Sequence, residues 1–110
     1  MKTVALREKD LATLRETFRR FPAVKEVRVF GSRATGNARR ASDIDLAISA
    51  PAATPEEWDN LSEALENAPL IYELDIVRPE QTTNEPLKEK IAREGITVFP
   101  EEGWVETLDS

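Results

Sequence analysis

The chain has 110 residues, 21 of them acidic and 15 basic, for a net charge of −6, with no cysteine and no histidine. Those absences exclude disulfides, thiolate zinc sites, Ser-His-Asp triads and imidazole acid–base chemistry, and they leave any bound metal with oxygen ligands, which favours Mg²⁺ or Mn²⁺ over Zn²⁺. The acidic balance disfavours direct nucleic-acid binding, which needs phosphate neutralisation, and the Arg39-Arg40 pair is too short to supply a basic face.

Residues 7–21 read as an amphipathic helix, with Leu11, Leu14, Phe18 and Phe21 at three- and four-residue spacing and Pro22 as its stop. Residues 24–30 alternate as a strand that Gly31-Ser32 ends, and a short helical turn can start at Ser32. Gly36-Asn37 is a turn signal. Residues 43–49 form the next strand, with Ile44, Leu46 and Ile48 on one face and Asp43, Asp45 and Ala47 on the other. Thr54 caps a helix that begins Pro55-Glu56-Glu57, carries Trp58, Leu61 and Leu65 inward, and ends at Ala68-Pro69. A strand over 70–78, a loop over 79–84, a helix over 85–94 closed by Gly95 and a strand over 96–99 follow. Residues 100–110 read as an acidic tail containing Trp104.

This order predicts one α/β domain over 1–110: a small mixed β-sheet flanked by helices, with a site at one sheet edge. Charges interrupt the first ten residues before an apolar signal segment can form, and no apolar run is long enough to span a membrane. The expectation is a cytoplasmic protein. A chain of this length has little room for a separate substrate domain, so a large substrate would be met by the surface or by a partner chain.

The chemistry concentrates between Gly31 and Leu46. Asp43 and Asp45 stand two apart on a strand, so they share a face with Cα atoms roughly 6–7 Å apart. Two unit charges about 4 Å apart repel by about 4 kcal/mol at an effective dielectric of 20. Such a pair calls for a cation or a shared proton unless both groups splay into water, and an isolated Asp-x-Asp is more often a solvated sheet face. Gly31-Ser32 is an ordinary strand-to-loop turn taken alone. Taken as a site, Gly31 lets backbone amides approach a phosphate, Ser32 adds a hydroxyl, and Arg33 either pairs with a phosphate oxygen or lies on the surface. Asp75, between Glu73 and Val77, supplies a third carboxylate if its strand neighbours the one carrying Asp43 and Asp45.

Strand, Gly31-Ser32, ten residues, Asp43-Ile44-Asp45 and a later strand Asp resembles the nucleotidyltransferase superfamily of the DNA polymerase β type. The string Gly-Ser-Arg-Ala-x-Gly followed by Ser42-Asp43-Ile44-Asp45-Leu46 is similar to the minimal nucleotidyltransferase (MNT) branch, typically paired with a HEPN-domain protein in toxin–antitoxin modules. The resemblance implies that Asp43, Asp45 and Asp75 ligate Mg²⁺, two ions in all, and that Asp75 helps activate the attacking hydroxyl. It implies that Gly31, Ser32, Arg33 and Ser42 hold the nucleotide. The implied reaction is transfer of AMP from ATP to a hydroxyl, a tyrosine in the family, of a cognate HEPN toxin RNase, within a hetero-oligomer. Thr35 departs from the basic residue common at that place, which implies a weaker grip on the triphosphate.

Two other functions remain open on the sequence. One is a non-catalytic antitoxin that binds and occludes its toxin, with Trp58, Tyr72 or Trp104 as anchors, although Trp58 and Tyr72 read more simply as core. The other is nucleotidyl transfer to a small molecule such as an aminoglycoside, whose enzymes normally carry an extra helical domain.

Overall fold

A computed structural model describes residues 2–36, 43–101 and 105–108. The elements in chain order are β1 (Lys2–Arg7), α1 (Glu8–Arg19), β2 (Glu26–Phe30), α2 (Ser32–Thr35), β3 (Ile44–Ser49), α3 (Pro55–Glu66), β4 (Leu74–Val77), α4 (Glu85–Glu94), β5 (Ile96–Phe99) and β6 (Val105–Leu108). Four strands make a mixed sheet in the order β4-β3-β2-β5, with β2 antiparallel to both β3 and β5, and β3 parallel to β4. Parallel neighbours require a crossover, and α3 supplies it. This is the small mixed α/β architecture that the element order predicts.

The alternation along each strand decides what each sheet face carries. Val27 and Val29 of β2, Ile44, Leu46 and Ile48 of β3, and Ile96 and Val98 of β5 are buried on one face. Leu11, Leu14 and Phe18 of α1 and Leu61 and Leu65 of α3 cover them, from the helical spacing read in the sequence. A second, smaller cluster lies apart from it: Phe30 and Ala47 from the sheet meet Ile91 of α4, with Val77 and Leu87 beside them. Both faces of β3 are therefore packed, one deeply and one over part of its length.

The helix signals act as read. The Thr54 hydroxyl accepts from the Glu57 amide at 3.1 Å, and the Glu57 carboxylate accepts from the Thr54 amide at 2.9 Å, completing a capping box ahead of Pro55. Asn84 accepts from the Leu87 amide at 3.1 Å and starts α4. Gly95 closes α4 with its amide bonded to the Ile91 carbonyl, but its backbone is extended (φ −63°, ψ 135°). Space makes it glycine: a Cβ there would stand 2.4 Å from the Ile91 carbonyl oxygen.

Two strands lie outside the sequence reading. Residues 2–7, of which the sequence pattern places Arg7 in the first helix, form β1, and residues 105–108, which read as part of an acidic tail, form β6; the two pair in parallel as a separate ribbon. Val4 and Leu6 are buried, so β1 carries the alternation of a strand. The strand read over 70–78 is shorter, since β4 begins at Leu74. No helix among the described residues is long and apolar enough to cross a membrane.

The packing divides the apolar side chains sharply. Leu46 is fully buried, whereas Ile71, just before β4, is 80% exposed. Leu46→Ala should lower unfolding free energy by about 2–5 kcal/mol, while Ile71→Ser should change it by less than about 0.5 kcal/mol, as read by urea denaturation at constant m-value.

Candidate active site

Parallel pairing of β3 with β4 sets Ile44 against Leu74, Asp45 against Asp75, and Ala47 against Val77. The condition placed on Asp75 by the sequence is thereby met: its strand is the immediate neighbour of the Asp43–Asp45 strand, and its register partner is Asp45. On the other side of β3, Asp45 is paired with Phe30, the last residue of β2.

Gly31 follows Phe30 with φ 72° and ψ −150°, a backbone open to glycine and strained for other residues. A Cβ on Gly31 would stand 2.2 Å from Asp45 Oδ2. The Gly-Ser turn and the Asp-x-Asp strand are thus in direct apposition, and the missing side chain is what allows it. Ser32, half-buried, opens the single turn of α2, as the sequence implied. Ser42 and the tail residue Trp104 lie outside the described residues.

Partial burial is the first cause that pushes the Asp45 carboxyl above its ordinary range. The facing Asp75 raises it next, the Lys90 ammonium opposes the shift, and Asp43 adds to it. The Asp75 carboxyl also lies within hydrogen-bonding reach of Asp45. Asp43 and Asp75 are exposed. Among the described residues, no three acidic side chains are gathered around one point at coordinating distance; the tight unit is the Asp45–Asp75 pair, with Asp43 adding its field from the start of the strand. The donor set fits a hard divalent cation, because a cation relieves the repulsion that burial and charge impose on Asp45, and because carboxylate oxygens suit Mg²⁺.

Arg33 is placed differently from the other expected nucleotide ligands. It is only 5% exposed, and its Nη1 donates to the Ala5 carbonyl at 2.6 Å while its Nε lies 3.4 Å from the Asp43 carbonyl. Its guanidinium carbon sits 4.4 Å from the centroid of the Tyr72 ring. Trp58 has a matching cover, the Arg78 guanidinium at 4.3 Å. Trp58 and Tyr72 both pack half-buried against the main core, in keeping with the simpler reading of each. Lys90 is absent from the sequence reading of the site. It precedes the inward Ile91 on α4, and a cation beside the inner stripe of a helix that crosses the carboxylate face of the sheet was the available signal.

The family profile described as Polymerase beta, Nucleotidyltransferase matches residues 12–102. The chain belongs to this family. Among solved structures, this nucleotidyltransferase is similar to a minimal nucleotidyltransferase at 34% identity, over 80% of this chain and 92% of that one, with a TM-score of 0.60. A toxin–antitoxin solved with AMP-PNP shares the fold at 21% identity, over 84% of this chain and 75% of that one, with a TM-score of 0.61. The toxin–antitoxin MntA–HepT does so at 18% identity, over 86% and 73%, with a TM-score of 0.55. A comparison with curated proteins finds no match.

A carboxyl held above its unfolded value binds more protons in the folded state, so its contribution to stability falls as pH rises through the interval between the two values. Above that interval the nucleotidyltransferase carries the full cost of an ionised Asp45. Asp45→Asn should therefore raise the melting temperature by about 3 °C at pH 7 in EDTA, with the gain vanishing near pH 3. Thermal unfolding at both pH values checks this, and an equal gain at both would count against the charge argument.

Proposed function

We propose that this nucleotidyltransferase is a Mg²⁺-dependent protein adenylyltransferase and antitoxin, which transfers AMP from ATP to a hydroxyl, a tyrosine by analogy, of a cognate HEPN toxin RNase. The observation that carries the reading is the Asp45–Asp75 pairing across parallel strands, with Gly31 pressed against Asp45, in a chain of the polymerase β nucleotidyltransferase family. The AMP-PNP carried by one structural neighbour supports ATP as the nucleotide, and the toxin–antitoxin neighbours support the antitoxin setting.

In this reading Asp43, Asp45 and Asp75 would hold two Mg²⁺ ions, which would neutralise the phosphate oxygens and stabilise the charge that develops during transfer. Gly31 and Ser32 hold the β- and γ-phosphates, Gly31 because its bare Cα leaves room beside Asp45. The acceptor oxygen bonds to the α-phosphorus while the bond to the β-phosphate bridging oxygen breaks. Pyrophosphate leaves with that electron pair, and the acceptor proton passes to the Asp75 carboxylate. Asp75 suits this because it is exposed on the outermost strand of the four-stranded sheet, where an incoming chain can reach it. The rate gain comes mainly from positioning and charge stabilisation.

With the cognate HEPN protein and Mg²⁺, label should pass to protein from ATP marked at the α-phosphate and not from ATP marked at the γ-phosphate. Asp43→Asn and Asp75→Asn should each cut the transfer rate by at least about 100-fold. Absence of α-label in the toxin, or undiminished transfer by Asp43→Asn, would sink the reading.

A further inference from the structure

Arg33 carries an inference that follows from its placement. A buried guanidinium is stable only if its donors are met, and this one is met by carbonyls of two segments that are far apart in sequence, Ala5 on β1 and Asp43 at the entrance to β3. Its flat face lies on Tyr72, two residues before β4 begins. Arg7 also lies beside Tyr72 and donates to Asp10, with Nε to Oδ2 at 2.9 Å and Nη2 to Oδ1 at 3.3 Å. Asp10 is buried. Tyr72, Arg33 and the backbone of Asp43 thus form one contact series, with the Arg7–Asp10 pair beside it at the start of α1.

The two strands that bear the carboxylates enter the sheet at this point. The Ile44 amide donates to the Glu73 carbonyl at 2.9 Å, one residue after Asp43 and one after Tyr72. Arg33 touches both neighbours of that bond, the Asp43 carbonyl just before β3 and the Tyr72 ring two residues before β4.

We propose that Arg33 is a positioning residue: clamped between the Asp43 carbonyl and the Tyr72 ring, it fixes the paired entrances of β3 and β4 and so sets the placement of Asp43 and Asp45 relative to Asp75. It does not serve as a ligand of the triphosphate. The inference rests on the assignment of these carboxylates as the reacting centre, but its first test does not require catalysis.

That test is amide hydrogen exchange on the metal-free chain. In Arg33→Met and in Tyr72→Leu, exchange of the Ile44 amide should accelerate at least about 10-fold relative to the Ile48 amide of the same strand. The second test is Mn²⁺ binding, read by water-proton relaxation, together with steady-state kinetics. Mn²⁺ affinity should fall about 5-fold or more in both variants, and kcat should fall about 30-fold while the KM for ATP stays within about 2-fold. Arg33→Lys, which keeps the charge but loses the fork, should resemble Arg33→Met. Unchanged Ile44 exchange overturns the proposal, as does a raised KM for ATP with unaltered Mn²⁺ affinity, which would make Arg33 a phosphate ligand. If Arg33→Met does not fold, Tyr72→Leu decides, because a phosphate ligand would be indifferent to loss of the ring. A wild-type chain that transfers no AMP, with Ile44 exchange responding as expected, would fail the functional reading and leave the clamp standing.

Discussion

The structure turns on one confrontation, Asp45 against Asp75 across parallel strands. Parallel register is what sets the two carboxylates abreast, and it is also the pairing that cannot be made by a hairpin. It requires α3 as a crossover, and α3 in turn must bury Leu61 and Leu65 against the sheet to stay in place. Repulsion between two such charges about 4 Å apart is about 4 kcal/mol at an effective dielectric of 20. Against it stand Ile44, Leu46 and Ile48 on the same strand, all fully buried, each contributing about 1.5–3 kcal/mol. The apolar alternation of β3 therefore outweighs the charge that the same strand presents on its other face, and the carboxylates are held together by side chains that point away from them.

The reverse face is arranged around the same constraint. Phe30, Ala47 and Val77 continue the three strands beside the carboxylates, and Ile91 and Leu87 of α4 cover them. That apolar patch anchors α4 and brings Lys90 near enough to oppose the shift of Asp45. The opposition is partial, since burial and Asp75 still leave the carboxyl above its ordinary range. A site with its charge fully balanced by protein cations would have little attraction left for a metal.

Local signals were legible in the sequence wherever a residue acts on its own neighbourhood. The phase of residues 43–49, the Thr54 cap, the limits of α4 at Glu85 and Glu94 and those of β5 follow from alternation, capping chemistry and glycine placement, each decided within a few residues. The union of Gly31, Asp45 and Asp75 was legible only as a conditional, because adjacency of β3 and β4 is a tertiary fact. β1 and β6 were missed for the same reason. Each is a short strand whose partner is about a hundred residues away, so neither shows its pairing locally, and the charges of 7–10 resemble a helix start more than a strand end. Arg33 lies in the short turn of α2 beside a Gly-Ser pair that reads as a phosphate-holding turn, and nothing in its sequence surroundings shows that its acceptors are the carbonyls of Ala5 and Asp43.

The site is built in two ways that differ in how they respond to change. Gly31 and the Asp45–Asp75 register are backbone features: one is a dihedral angle near 72° and the other a strand alignment, so a substitution there cannot be compensated by a rotamer. The contact of Arg33 with Tyr72 is made by side chains, so a substitution can loosen the strand entrances there without changing the strand register. Among the carboxylates, Asp45 is half-buried and faces Asp75, and both burial and that neighbour hold its carboxyl above the ordinary range. The alignment that brings Asp45 and Asp75 together is set by backbone register and apolar packing, which lets the strength of their charge vary while the register does not.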